Sequence, residues 1–182
     1  MDVPLFPDKK YAILEEWRLQ ILKTYPRETA EFLRREKDRF ANPVGCTLLR
    51  TTEILLEALL RGDESDNEEV HNALDDLIKI RAVQDFSASQ VLEFIMALKH
   101  IVRGQFHGEY PDPDQLRDFE SRIDHLVLAA FDIYAQNRER IFNVRINEIK
   151  NRFRRLFERA DLLSAESGAQ TPADDEAGTG SP

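Results

Sequence analysis

The chain has 182 residues, with 34 acidic and 25 basic side chains and a formal net charge of −9 at pH 7. That length suits one domain with a well-filled core, and the acidic balance disfavours nucleic acid as a partner. No segment is apolar over the length of a bilayer span, and the start, MDVPLFPDKK, lacks a signal-peptide core. We therefore expect a cytoplasmic protein with no membrane insertion.

The first part of the chain predicts a short lead and two helices. Residues 1–9 form a proline-containing lead, and Pro26 ends the first helix, which we expect from Lys10 to Tyr25. The segment ETAEFLRREKDRF predicts the second helix. The expected buried residues of these two helices are Ile13, Leu14, Trp17, Ile21 and Leu22, followed by Ala30, Phe32, Leu33 and Phe40.

Start and stop signals predict three more helices. Asn42 is a good N-cap before Pro43, and Gly62 ends that third helix. Asp66 or Asn67 can cap a fourth helix, and Ser87 with Gln90 has the spacing of a capping box at the start of a fifth. The expected inward residues of the fourth and fifth helices are Val70, Leu74, Leu77, Ile78, Val83, Val91, Leu92, Ile95, Leu98, Ile101 and Val102. We expect Cys46, the single cysteine, to be a small buried residue in a reducing compartment.

The segment from Asp114 to Leu163 contains no proline or glycine and predicts one helix about 75 Å long. Its apolar residues fall on two faces about a third of a turn apart. The first stripe is Leu116, Phe119, Ile123, Leu126, Ala130, Ile133, Ile141 and Val144. The second stripe is Phe142, Ile146, Ile149, Phe153, Leu156, Ala160 and Leu163.

The two stripes predict two partners for this helix. The first stripe packs on the domain, and the second needs another surface, most simply the same helix of a second subunit in a coiled-coil dimer. The alternative is a kink near 137–147, after which a short last helix folds back on the domain. No stretch alternates with period two, so the predicted fold is all-α: a compact bundle of about five short helices plus a long C-terminal helix. Residues 164–182 are small and acidic, which predicts a disordered tail.

The sequence contains few candidates for a metal, haem or catalytic site. His71 and Asp75 lie four apart on a helix, but two ligands do not make a metal site. His100 and His125 fall in apolar helices and are the candidates for a haem pocket, although such histidines more often belong to a core or a surface. No phosphate loop, zinc-protease motif, nucleophile elbow or cysteine pair occurs. We expect no enzymatic activity and no cofactor.

Polar residues gather at two helix junctions. The first cluster is Arg35, Asp38, Arg39 and Asn42, and the second is Lys79, Arg81, Gln84 and Asp85. Helix ends leave backbone groups without partners, so capping and pairing between helices is the structural interpretation. The functional alternative is a polar recess that senses a small ligand or holds a partner loop. A basic run, Arg145, Lys150, Arg152, Arg154, Arg155 and Arg159, suits a solvated helix C-terminus better than a phosphate-binding strip.

Three segments carry a family resemblance: TYPRETAEFLRREKDRFANPVG, LDDLIKIRAVQDFSASQ and FDIYAQNRERIFNVRINEIKNR. They closely resemble the RsbRD N-terminal domain family, the input domain of one class of RsbT co-antagonist proteins, over about Trp17 to Arg152. The resemblance implies signal input, ahead of a STAS or histidine-kinase output domain. It also implies a globin-like, haem-free, dimeric fold similar to that of related stressosome input domains, and it supplies no catalytic residues.

The sequence given has no room for an output domain after the long helix, because such a domain needs about another hundred residues. We therefore expect the signal to leave through a separate protein, with the second stripe as the output surface. Two alternatives remain: a ligand- or haem-binding globin-like sensor, and an accessory or scaffold subunit of a larger complex.

Overall fold

The structure is a computed structural model that describes residues 5–62, 67–84, 86–106 and 112–168, apart from the side chains of Val83 and of residues 160–168. A 3₁₀ turn, Pro7–Lys9, precedes six helices: α1 Lys10–Lys23, α2 Arg27–Arg35, α3 Pro43–Arg61, α4 Glu68–Val83, α5 Ala88–Gly104 and α6 Pro113–Gly168. No strand occurs in these ranges. The all-α prediction, five short helices followed by a long one, is confirmed.

The predicted helix ends are largely those of the structure. Asn42 caps α3 with Pro43 in its first turn, and Asn67 caps α4 by accepting the Glu69 N–H. Both hydrogen bonds of the Ser87–Gln90 capping box are present at the start of α5. Gly62 ends α3 with φ +84°, a left-handed conformation that glycine adopts without a Cβ penalty. Asp66, the other candidate cap, lies outside the described residues.

The chain divides into two compact units, Met1–Arg138 and Glu139–Pro182, and α6 contributes residues to both. In the first unit α3 packs on α4, and α1 packs on α3 and α5. Trp17 is fully buried at the centre, where its indole Nε1 donates to the Phe94 carbonyl at 2.7 Å and its ring stacks on that of Phe94. Other fully buried core residues include Leu55, Leu56, Leu74, Leu77, Ile78, Ile95 and Leu98.

Within the first unit, α6 follows the first stripe. Phe119, Ile123, Leu126, Ala130 and Ile133 are buried, and Leu116 is half-buried. Ion pairs from α5 flank the stripe, with Lys99 Nζ 2.6 Å from Asp124 and Arg103 Nε 2.7 Å from Glu120. The first stripe is confirmed as far as Ile133.

The end of that stripe differs from the prediction. Ile141 is half-buried, and Val144 is 57% exposed, so its predicted burial is wrong. The buried residue one turn after Ile133 is polar: Asn137 donates to Asp75 of α4 at 3.3 Å. The backbone stays helical across residues 137–147, where the sequence leaves a kink open, and α6 runs on to Gly168. Residues 169–182 of the predicted tail lie outside the described residues.

The second helix is shorter than predicted. It ends at Arg35 because Glu36 is extended, and only Leu33 is fully buried among its predicted inward residues. Phe32 is half-exposed and Phe40 is 96% exposed, so their predicted burial is wrong. Asn42 accounts for the early end, since its side chain takes the carbonyls of Leu33 and Glu36 away from a continuing helix. Cys46 is only partly buried, which corrects its predicted burial.

Candidate functional site

The first junction is organised by Asn42, which is buried to 1% exposure. Its side-chain oxygen accepts the Gly45 N–H at 2.8 Å, and its amide nitrogen donates to the carbonyls of Leu33 at 3.0 Å and Glu36 at 2.8 Å. One side chain therefore caps the start of α3 and the end of α2. Both amide protons are therefore used, and the oxygen is engaged by the start of α3, so this buried side chain has no free donor to offer a ligand.

The other residues of the first junction are on the surface. The Asp38 carboxylate accepts the Phe40 N–H at 2.9 Å, which closes the turn between α2 and α3. Arg35 and Arg39 are exposed. Asn42 and Asp38 thus bond backbone groups, as the structural interpretation of this cluster predicted. The structure does not bring Arg35 and Arg39 into an enclosed recess.

Arg81 of the second junction is fully buried. Its Nη2 donates to the Thr24 hydroxyl at 3.0 Å, while Nε and Nη1 have no hydrogen-bond partner among the described residues. Burying a charge without full pairing costs several kcal/mol, roughly what is lost when one partner of a buried ion pair is removed. Burial accordingly lowers the pKa of the Arg81 guanidinium from its usual value, with the Tyr25 hydroxyl opposing that shift.

Three aromatic rings surround the Arg81 guanidinium. Its carbon lies 4.3 Å from the ring centroid of Phe86, 5.0 Å from that of Phe94 and 5.8 Å from that of Tyr25. Contacts of this kind are attractive by about 0.5 to 2 kcal/mol each and offset part of the desolvation cost. We call these rings, Thr24 and Arg81 the arginine cage.

A hydrogen bond between Tyr25 and Gln84 lies at the surface beside the arginine cage, and we call this pair of side chains the cover of the cage. The half-buried Tyr25 donates its hydroxyl proton to the Oε1 atom of the exposed Gln84 at 2.9 Å. Burial raises the pKa of Tyr25, against the lowering effects of the Arg81 charge and of the Gln84 hydrogen bond. The Tyr25 ring also packs edge-on against the Phe86 ring, with the two ring centroids 5.9 Å apart.

The cage is bonded to α6. The Tyr134 hydroxyl donates to the Phe86 backbone carbonyl at 2.9 Å, and one turn later Asn137 bonds Asp75 of α4. Lys79 of the second junction forms an ion pair with the same Asp75 carboxylate. Asp85, the remaining residue of this cluster, lies outside the described residues.

The three histidines that the structure describes do not form a pocket. His71, His100 and His125 are all exposed, so the haem setting suggested for His100 and His125 is absent from their helices. The Asp75 carboxylate that could have joined His71 at a metal is occupied by Lys79 and Asn137. Within the described ranges, no group of three His, Cys, Asp or Glu side chains is arranged to hold a metal ion.

A surface cavity of about 310 Å³ lies between α1, α2 and α3. Five of its eleven lining residues are leucines, and four are charged: Glu15, Arg18, Arg34 and Lys37. No buried polar group points to a particular ligand there. The arginine cage is the better candidate site, because it contains a buried charge that the described residues leave partly unbonded.

In the second unit, the helical residues 139–159 carry the second stripe on their surface. Phe142, Ile149, Phe153 and Leu156 are between 54% and 62% exposed, and Ile146 is half-buried. The alternating spacing of three and four residues matches the inner positions of a coiled coil. Ala160, predicted to continue this stripe, lies outside the described side chains.

Basic side chains border the second stripe. Arg145, Arg152 and Arg159 follow one side of it at seven-residue intervals, and Lys150 and Phe157 follow the other. Phe157 is 68% exposed and widens the apolar surface. From the sequence these cations suit a solvated helix end. Their place as flanks of the stripe was not predicted, although the seven-residue spacing contains that signal.

The sequence also left parts of the arginine cage unpredicted. It marked Arg81 and Gln84 as a junction cluster, but it did not indicate that Arg81 is buried, that Thr24, Tyr25 and Phe94 surround it, or that Tyr134 bonds the backbone of Phe86. These residues come from four separate helical segments or their ends, and contacts between such distant positions leave no periodic pattern in one sequence. An isolated arginine on the apolar side of α4 was the available signal.

These features define an all-α module: a helical bundle with a buried polar site that is bonded to its last helix. Residues 12–149 match the family model of the RsbT co-antagonist protein rsbRD N-terminal domain. The chain therefore belongs to the RsbRD N-terminal domain family. No curated protein and no solved structure matches the chain. None of the described helices has the length and apolar composition to cross a membrane.

Proposed function

We propose that this protein is a non-enzymatic, cytoplasmic signalling domain that passes a signal to a partner through the second stripe of α6. The family is one of signalling input domains, which supports an input role. The single observation that carries the output role is the row of exposed apolar side chains Phe142, Ile149, Phe153 and Leu156. Large apolar surfaces that are regularly spaced and bordered by charge mark interaction sites.

The occupant that we assign to this stripe is a second copy of the same helix. Two identical stripes with three-four spacing interlock as knobs into holes, so a homodimer needs no further partner to cover them. Each copy brings five described stripe residues, and burying the exposed half of each contributes about 1 kcal/mol. The sum over two copies is comparable to the association cost of about 4 to 15 kcal/mol, which predicts a reversible dimer.

Sedimentation velocity on the full chain tests this assignment. The wild type should sediment as a concentration-dependent dimer, and the double variant I149D/F153D should be a monomer, because buried carboxylates cannot stay unpaired. The matched control is Val144→Asp, an equally exposed position on the same helix outside the second stripe. A wild type that stays monomeric at micromolar concentration contradicts the homodimer.

A second candidate function is that of an accessory subunit whose stripe meets a different protein. The basic flanks favour it, because Arg145, Arg152 and Lys150 complement a partner helix with acidic residues beside its own apolar stripe. In that case a stoichiometric foreign partner should co-purify from the native source, and its loss in I149D/F153D but not in V144D identifies the stripe as its binding surface. The haem-binding alternative has no comparable support, since His100 and His125 are exposed.

A further inference from the structure

The arginine cage holds a cation whose charge no described residue neutralises. Arg81 is fully buried, yet no described carboxylate forms an ion pair with it, and two of its three nitrogens lack a hydrogen bond in the described structure. Buried polar groups are satisfied in most proteins, so a buried guanidinium with two orphan nitrogens needs a specific explanation. Aromatic rings compensate the charge but accept no ordinary hydrogen bond from Nε or Nη1.

We propose that Arg81 is the recognition residue of an internal binding site for a small anion, a carboxylate or an inorganic anion of similar size. An anion supplies both missing components, a negative charge and hydrogen-bond acceptors for the N–H groups. The ring of Phe86 lies 4.3 Å from the guanidinium carbon. Nε and Nη1 lie on two different edges of the guanidinium, each beside Nη2, so the anion binds at one of these edges and supplies the acceptor for one of the two unbonded nitrogens. The fully buried position of Arg81 limits the ligand to a few heavy atoms.

The cover of the cage provides an entry route. Gln84 is exposed and its bond to Tyr25 lies at the surface, so an opening that breaks this bond and moves the Tyr25 ring away from the Phe86 ring, 5.9 Å away, gives access to Arg81. The exposed hydrogen bond adds only about 0.5 to 1.5 kcal/mol to the cost of such an opening. Thr24 stays bonded to Nη2 and keeps the guanidinium oriented while the cover moves.

An anion in the cage acts on α6 through Phe86. The Phe86 ring contacts Arg81, and the carbonyl of the same residue accepts the Tyr134 hydroxyl proton. A ligand at the guanidinium edge shifts Phe86 and thereby changes the bond to Tyr134. This second step rests on the proposed signalling function, whereas anion binding itself does not.

The binding step is tested on the wild-type full chain by two-dimensional NMR of arginine Nε–H groups. Sodium acetate, phosphate and chloride are titrated in separate samples at constant ionic strength, and Arg81→Lys assigns the Arg81 signal by its absence. We expect a saturable shift of the Arg81 signal with at least one anion. The control signal is Arg103, whose Nε donates to Glu120 at the surface and should show no saturation. Identical, non-saturating shifts of both signals overturn the proposal.

Two variants sharpen the result. Asp85→Asn tests whether the chain supplies its own counterion. A changed Arg81 signal in this variant without added anion, together with no anion binding by the wild type, overturns the proposal.

Tyr134→Phe should bind the anion within about threefold of the wild type, because the substitution removes only the hydrogen bond to α6. If the proposed signalling function is also correct, the anion alters the dimer dissociation constant of the wild type and leaves that of Y134F unchanged. Binding without that effect refutes the coupling and leaves the site standing.

Discussion

Asn42 and Gly45 depend on each other at the start of α3. The Asn42 side chain accepts the Gly45 N–H at 2.8 Å, and a Cβ on residue 45 would lie 2.2 Å from the Asn42 amide nitrogen. Only glycine therefore allows the amide to reach the α2 carbonyls and the α3 N-terminus together. The connection between α2 and α3 depends on this contact.

Replacing Asn42 by Ala should lower the free energy of unfolding by about 2 to 4 kcal/mol. The substitution removes an N-cap and leaves the carbonyls of Leu33 and Glu36 without their donor. Gly45→Ala should also destabilise the protein, because the new methyl group displaces the Asn42 amide. Denaturant unfolding of both single variants and the double variant forms a cycle, and we expect the double variant to cost clearly less than the sum. Additive costs would show that the two residues act independently.

Replacing Trp17 by Phe should lower the free energy of unfolding by about 1 to 3 kcal/mol, because the Phe94 carbonyl loses its side-chain donor in the core. Circular dichroism during denaturant unfolding measures the change without the tryptophan signal. Tyr11→Phe is the control, since Tyr11 is 77% exposed and its loss of a hydroxyl should have little effect. Equal stability of W17F and the wild type contradicts the structural role of the indole N–H.

The stability of the protein should fall as the pH rises above 10. Burial raises the pKa of Tyr25 above its usual value of 10.0, so the folded state holds the phenol proton more tightly than the unfolded state. The protonated phenol therefore adds to the free energy of unfolding. This stabilisation is fully present below pH 10.0 and is lost as the pH rises through the folded-state pKa. Urea unfolding at pH 8 to 10.5 should therefore show a steeper decline for the wild type than for Tyr25→Phe. The same slope in both proteins contradicts the prediction.

Salt should strengthen the proposed homodimer. The flanks of the stripe, Arg145, Lys150 and Arg152, bring like charges together when two copies pair in parallel. Raising NaCl from about 0.05 to about 0.5 M screens this repulsion, so the dimer dissociation constant measured by sedimentation should fall. An acidic foreign partner predicts the reverse, a complex weakened by salt.

Local sequence signals predicted the helices and most of their ends. As helix caps, Asn42, Gly62 and the Ser87–Gln90 pair bond residues three or four positions away, so the sequence alone shows these caps. The first stripe could be recognised for the same reason, because a helix repeats its face every 3.6 residues. The early end of α2 escaped prediction, since it depends on Asn42 reaching back to Leu33 and Glu36.

By itself the sequence determined the all-α class, the helix order, and the presence of a second apolar stripe on the last helix, because each follows from periodicity and capping over short distances. Only the tertiary structure decided that Arg81 is enclosed by Thr24, Tyr25, Phe86 and Phe94 and that Tyr134 binds the same segment. The physical reason is that burial of a charge depends on which distant helices pack around it. Nothing in the residues adjacent to Arg81 encodes that packing.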